Sequence, residues 1–499
     1  MKEFFFHDFG KAAFGTLDLV LEADAPGTAE VAVGECSREG KVDRTPGGFR
    51  YIGVCQLPVA AGRKKYRLPL PPHPPRGGAA AASPLPDEEI APFRYVEITG
   101  PCRVGQVRRN EIFPDGFHDD DARFVSSEKK LNRVWEFCKY SIKATAAFGL
   151  FIDGERERLP YEGDTCINQL GWFCCCPDPA IPRRTITHLL KNPTWPTEWR
   201  LLMPLIVRDY LLYSGDEKPL PGWLPALKES LLDDKTGEDL LLHTGNNRRG
   251  DIIDWPESER DGYELGKINL VPNCYRFGAL EAMTELTGDP AFRRQAEALR
   301  DKIREMMMKE GRFVDSPGST HTALHSLIFP LFFGVGTQKE CSEIRNSGMR
   351  CSVYAAQFLL EAMFRHGMEK EAMELLCADS ERSWLNMLAQ GSTITMEAWN
   401  ADIKPNQDWN HAWGAAPANI IPRFVGGIRP VSPGFRKFLV DPHPTGLEFF
   451  DLRHPIPGGK HIELEYSRGK IKLVVPEGTS GICGNREYPS GTHCITRTN

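Results

Sequence analysis

Between Asp153 and Asp164 the chain reads Asp-Gly-Glu-Arg-Glu-Arg-Leu-Pro-Tyr-Glu-Gly-Asp, carboxylates interleaved with two arginines and punctuated by Gly and Pro. A loop of this composition can aim several acids into one cavity. Arg156 and Arg158 can hold neighbouring carboxylates ionised while a less paired one stays protonated as a general acid. The alternative is a solvated charged turn. A second stretch, Gly391 to Trp399, places Glu397 beside a tryptophan after an uncharged run, and Asp408-Trp-Asn-His-Ala-Trp-Gly414 follows. Aromatic faces stack on the apolar faces of sugar rings, while flanking carboxylates, amides and imidazoles bond hydroxyls, so Trp399, Trp409, Trp413 and His411 around Glu397 suit a sugar pocket. Taken alone, the same tryptophans also suit a core. His411 has no HxH or HExxH partner, and sugar binding is the better reading than metal ligation. A third stretch, Asn246 to Trp255, offers Asp251, Asp254 and Trp255, with helix capping as the alternative role for either aspartate.

The elements that must position these residues change character twice. Up to about residue 120 the chain reads as strands: 17–23, 29–35, 49–57, 64–70 and 93–100 cluster β-formers between Gly and Pro signals, with 71–86 an irregular loop. From about 126 to 420, segments such as 197–216, 271–289, 290–311 and 351–367 show wide apolar helical faces. Many consecutive helices separated by long charged and aromatic loops predict a toroid of helical hairpins. Strands return from about 430, with hairpin turns at PGGK and SRGK.

The 499 residues exceed one compact core, and the composition is that of a globular chain: 41% hydrophobic and 26% charged. A net charge of −6 carries no basic footprint for nucleic acid or anionic lipid. Fourteen cysteines, three of them adjacent at 174–176, form neither a spaced disulfide framework nor a zinc pattern, which predicts reduced thiols and a cytoplasmic location. No signal-peptide core or membrane-spanning stretch is read from the sequence, and no membrane partner is expected.

Taken in order, these segments resemble the family 78 glycoside hydrolases, the α-L-rhamnosidases. The family's D-C-P-x-R-D-E-R-x-G-W-x-G-D loop is matched by Glu157-Arg158-Leu159 and Gly163-Asp164 at the same separation, with Tyr161 in place of the Trp and Asp153 closer to the Glu. G-A-T-T-x-W-E-x-W is similar to GSTITMEAW, the S-x-x-H-x-x-x-G motif to NHAWGAAPA, and G-D-W-x-x-W to GDIIDW. The resemblance spans nearly the whole chain. It implies an (α/α)6 barrel (123–428) flanked by an N-terminal (1–122) and a C-terminal (429–499) β-sandwich. It further implies inverting, exo-acting removal of a terminal α-L-rhamnose or related sugar from a glycan or glycoside, without metal or cofactor. Carried over, Glu157 matches the general acid, with Glu155 or Glu162 as substitutes, and Glu397 the general base. Asp153 and Asp164 match hydroxyl-binding acids, and Trp255, Trp399 and His411 fall at pocket positions. Arg156, Asp251 and Trp413 join them as expected substrate contacts. Arg156, Arg158, Arg248 and Arg249 hint at an acidic neighbouring sugar. A polysaccharide lyase using His411 or Tyr161, and a non-catalytic carbohydrate-binding relic, are the competing classes.

Overall fold

The computed structural model describes residues 3–73, 80–245 and 250–496; Arg248, Arg249 and part of the irregular 71–86 stretch lie outside them. The aromatic run at the amino terminus begins a strand, Glu3–Ala23, long enough to serve several partners. Its first half pairs antiparallel with Ala91–Gly100, and its second half with Arg103–Glu111 on one side and Gly62–Arg67 on the other. Gly27–Gly34 and Ile52–Val59 extend the sheet. Its six strands curl around a private core that includes Leu17, Leu19, Val31, Val33, Phe93 and Ile98.

Six helices then form a closed ring: Glu162–Cys175, Thr197–Ser214, Leu270–Thr287, His325–Phe333, Ala355–Arg365 and Pro417–Ile420 each pack on the next, and the last returns to the first. They are apolar nearly all round, as inner helices must be, and every residue of Glu162–Cys175 is buried. Outer helices carry one apolar stripe instead. In Pro290–Met307 the buried residues are Ala296, Leu299, Ile303 and Met307, at helical spacing. The toroid read from the sequence is thus an inner ring wrapped by amphipathic helices.

Behind it, Phe449–Ile456, Lys460–Ser467, Lys470–Val475 and Gly491–Thr496 form an antiparallel meander. Arg123–Ser126, just before the helix Lys129–Thr145, adds to the edge of that sheet and ties the entry of the barrel to its exit. A four-stranded sheet, from Ile428–Pro430 to Arg486–Tyr488, completes this end. Cys174, Cys175 and Cys176 are buried, and the Cys176 thiol donates to the Gly116 carbonyl at 3.1 Å. No helix among the described residues is long and apolar enough to cross a membrane.

The starts of the inner helices converge. Glu162 and Asp164 lie in the first turn of one, Glu198 and Trp199 in that of the next, and Tyr354 directly precedes a third. Helix N-termini favour negative charge, so this end of the ring suits carboxylates.

Candidate active site

The acidic loop is closed by its own backbone. Arg158 N–H donates to the Gly154 carbonyl at 2.9 Å, Asp153 N–H to the Leu159 carbonyl at 2.9 Å, and Leu159 N–H to the Asp153 carboxylate at 2.9 Å. Glycine is required at 154: a Cβ there would lie 2.7 Å from the Asp408 carboxylate. The two arginines expected to flank Glu157 diverge. Arg158 is buried and turns away, pairing with Glu155 and Glu89 at 2.8–2.9 Å and donating to the Ile90 carbonyl at 2.9 Å. Arg156 crosses to Glu397, donating to its two oxygens at 2.8 and 3.0 Å, and keeps only a 3.4 Å contact with Glu157. Glu157 itself accepts from the Tyr161 hydroxyl at 2.9 Å, and its side chain is 28% exposed.

Glu157 and Glu397 line one cavity of about 160 Å³, together with Asp153, Arg156, Tyr161, Asp164, Trp195, Trp199, Ile252, Trp255, His411 and Trp413. Glu397 is almost fully buried. Beyond Arg156 it meets Lys404 at 3.3 Å and accepts from Asp408 N–H at 3.2 Å. Burial pushes its carboxyl up, but His411, Arg156 and Lys404 outweigh that and hold it below the usual carboxylate range. Its neighbours are tuned the other way. Burial, reinforced by Asp408 and Asp164, drives Asp153 well above its ordinary value, and burial likewise raises Asp164 and Asp408.

His411 Nε2 lies 2.8 Å from Asp164, and its ring packs 4.7 Å from that of Trp413, whose indole N–H donates to the Glu397 carbonyl at 3.0 Å. Trp199 meets Tyr161 and Trp413 edge-on. Gly163 permits that approach, because a Cβ there would sit 2.6 Å from the Trp199 ring. Glu198 holds the opposite wall, accepting from the N–H groups of Ile252 and Ile253 at 3.1 and 2.8 Å. Glu397, Asp408 and His411 could each offer one ligand atom to a cation, within 4.8 Å of one another, although Arg156 and Lys404 already engage Glu397.

Of the residues expected from the sequence, Glu157, Glu397, Asp153, Arg156, Asp164, Trp255, His411 and Trp413 come together at the cavity. Two do not. Trp399 is a core residue: fully buried, edge-on to Trp384 at 5.1 Å, with its N–H on the Cys351 carbonyl at 2.8 Å. Asp251 is buried beside the wall, accepting from the Asn269 amide at 2.8 Å, and does not line the cavity. The substitute acids are also committed elsewhere, Glu155 to Arg158 and Glu162 to Thr194. Sequence reasoning misses Trp195 and Trp199 on the cavity wall, and Lys404 and Asp408 beside Glu397, the last two lying close to the acidic motifs, where proximity is the available signal.

A search among characterised proteins finds no sequence match. The family model described as bacterial alpha-L-rhamnosidase 6 hairpin glycosidase domain matches residues 119–425, and that of the bacterial alpha-L-rhamnosidase C-terminal domain matches 427–482. Among solved structures, the GH78 family rhamnosidase of Bacillus sp. GL1 superposes with a TM-score of 0.76 at 20% identity, covering 98% of this chain and 55% of that one. The α-L-rhamnosidase of Aspergillus terreus gives 0.78 at 15% identity, with 98% and 61% covered. That of Streptomyces avermitilis, complexed with L-rhamnose, gives 0.74 at 16% identity, with 96% and 48% covered. The chain therefore spans 48–61% of the length of these three proteins. With the barrel and the following β-domain both matched, the chain belongs to the bacterial α-L-rhamnosidase family of six-hairpin glycosidases.

Proposed function

We propose that the protein is an exo-acting, inverting glycoside hydrolase that removes a terminal α-L-rhamnose from a glycan or glycoside. The observation that carries this reading is the pairing of two glutamates on one small cavity with unequal partners. Glu397 is gripped by Arg156 and Lys404 and kept ionised, as a base that activates water must be. Glu157 is left with a tyrosine hydroxyl and one longer arginine contact, at the more open position where a departing oxygen can be protonated. Asp153, Asp164 and His411 then meet sugar hydroxyls, and Trp255, Trp413 and Trp199 supply apolar faces. The small volume of the cavity, about 160 Å³, suits one terminal sugar residue, which supports exo action. Lyase chemistry finds less support, because His411 is tied to Asp164 and Tyr161 to Glu157. A reducing, cytoplasmic location belongs to the same proposal, on the buried free thiols of Cys174, Cys175 and Cys176.

The test is a panel of aryl glycosides and rhamnose-capped oligosaccharides. Release of rhamnose alone from both sets is the expected result. Faster turnover of another terminal sugar would move the specificity, and an unsaturated, ultraviolet-absorbing product from a uronate polymer would replace hydrolysis by elimination.

A further inference from the structure

The N-terminal sheet reaches the acid loop through one side-chain amide. Glu35, just after the strand Gly27–Gly34, is 4% exposed. One of its oxygens accepts from the Asn410 side-chain N–H at 2.9 Å and the other from Tyr51 N–H at 2.7 Å. Asn410 in turn offers its amide oxygen to Glu155 N–H at 2.7 Å. An amide has a donor end and an acceptor end, and its partners decide which way it faces. A carboxylate only accepts, so Glu35 takes the NH2 end and thereby turns the oxygen onto the backbone two residues before Glu157. Asn410 also stands between Asp408, whose N–H donates to Glu397, and His411, which meets Asp164. One amide thus joins the segment beside the base to the loop of the acid.

We propose that Glu35 is a positioning residue for the acid loop, acting through Asn410, a role that rests on reading Glu157 as the acid. A second observation separates this from ordinary domain docking. Docking is already supplied nearby: Arg50 stacks 4.3 Å from the Trp409 ring, Phe49 N–H donates to the Gln407 carbonyl at 3.4 Å, and a Cβ on Gly48 would lie 2.9 Å from the Pro405 carbonyl oxygen. Glu35, by contrast, has no ion-pair partner among the described residues, and burial pushes its carboxyl up to about 7. Arg50 acts on it at a distance without pairing, so its closest stabilising contacts are its hydrogen bonds, and these fix the direction of a single amide.

Two variants test this in the full-length protein, Glu35→Leu, which removes both acceptor oxygens, and Asn410→Ala, which breaks the bridge from the other side. A misplaced acid hurts substrates that need protonation most. Each variant should therefore lose kcat/KM about tenfold more on poor leaving groups than on activated aryl rhamnosides, and the double variant should lose no more than the worse single one. Equal losses on both substrate types, or additive losses, would overturn the role. Hydrogen exchange of the Glu155 amide gives a readout independent of activity. It should accelerate in both variants, and unchanged exchange would refute the bridge even if the protein proved inactive on rhamnosides. Inactivity of the unaltered protein together with accelerated exchange would instead strike at the proposed function alone.

Discussion

Glu397 and Glu361 are both buried glutamates clasped by arginine, at opposite ends of the same helical ring. Glu397 sits where the inner helices begin; Glu361 lies where they end, on a larger cavity of about 360 Å³ lined also by Arg208, Arg365, Arg423, Phe332 and Phe358. At that far end the glutamate is satisfied, although Arg423 Nε is left without a hydrogen-bond partner. Glu361 accepts from Arg423 at 2.7 and 3.0 Å, from Gln357 at 3.0 Å and from Arg365, and although burial raises its carboxyl, Arg365 and Arg423 hold it down at about 2. At the near end the acids are not. One oxygen of Asp153, both oxygens of Asp408 and Nδ1 of His411 are buried without a hydrogen-bond partner, His411 Nδ1 facing an Asp408 oxygen only at 3.9 Å, and Asp153 and Asp408 are driven upward by burial.

The difference teaches that size does not mark the site here; unfinished electrostatics do. Arginines at helix C-termini and a saturated glutamate describe a joint that holds the ring closed. On the proposed reading, the buried Asp153 oxygen on the cavity wall is where a sugar hydroxyl would bind, since a buried polar group without a partner is destabilising until one arrives.

The sharpest break between the two ends should come from Glu397→Gln. It is expected to lower kcat/KM by about 10³-fold or more on activated and natural substrates alike, whereas Glu157→Gln keeps part of its activity on activated aryl rhamnosides. Steady-state kinetics on the two substrate classes decide it. Glu361→Gln should do the reverse, costing about 3–5 kcal/mol of stability by leaving the buried Arg423 uncompensated, with kcat of the folded protein unchanged. Its pH signature follows from the sign of the shift. A carboxyl at about 2 when folded, against an ordinary 4.5, stabilises the fold above pH 4.5 and loses that contribution as pH falls toward 2, so the variant should flatten this acid limb in a denaturation series. Trp399→Ala should cost about 3–5 kcal/mol through the cavity it leaves, with KM little changed, because Trp399 packs the core rather than the pocket. The smallest effect is expected from Asp153→Asn, which keeps the acceptor for Leu159 N–H and replaces an ionisable carboxyl that burial already drives toward its neutral form. It should gain about 0.5–2 kcal/mol while lowering activity, and a loss of stability would show the two ends to be alike.

The succession of β-region, helical toroid and β-region was legible because period and punctuation change at each boundary. Local density of acids and aromatics also marked the loops that meet at the cavity. What failed was direction. Trp399 follows Glu397 by two residues, yet the chain turns between them, sending one carboxylate to the cavity and the indole to Cys351 and Trp384. Arg158 stands next to Glu157 in sequence but at a backbone φ of 53°, which swings its guanidinium toward the N-terminal sheet. Trp195 and Trp199 carried no acidic motif, so nothing local separated them from core tryptophans. The reach of Glu35 across 375 residues to Asn410 is a tertiary fact that no spacing rule encodes.

The most direct test of the acid and base assignment is proton NMR of an α-L-rhamnoside during its first turnovers. Water delivered by Glu397 from the face opposite the departing oxygen must produce the β-anomer first, with the α-anomer appearing only by later mutarotation. Initial release of α-L-rhamnose would mean that a carboxylate attacks the sugar directly, and would contradict the roles given to Glu157 and Glu397.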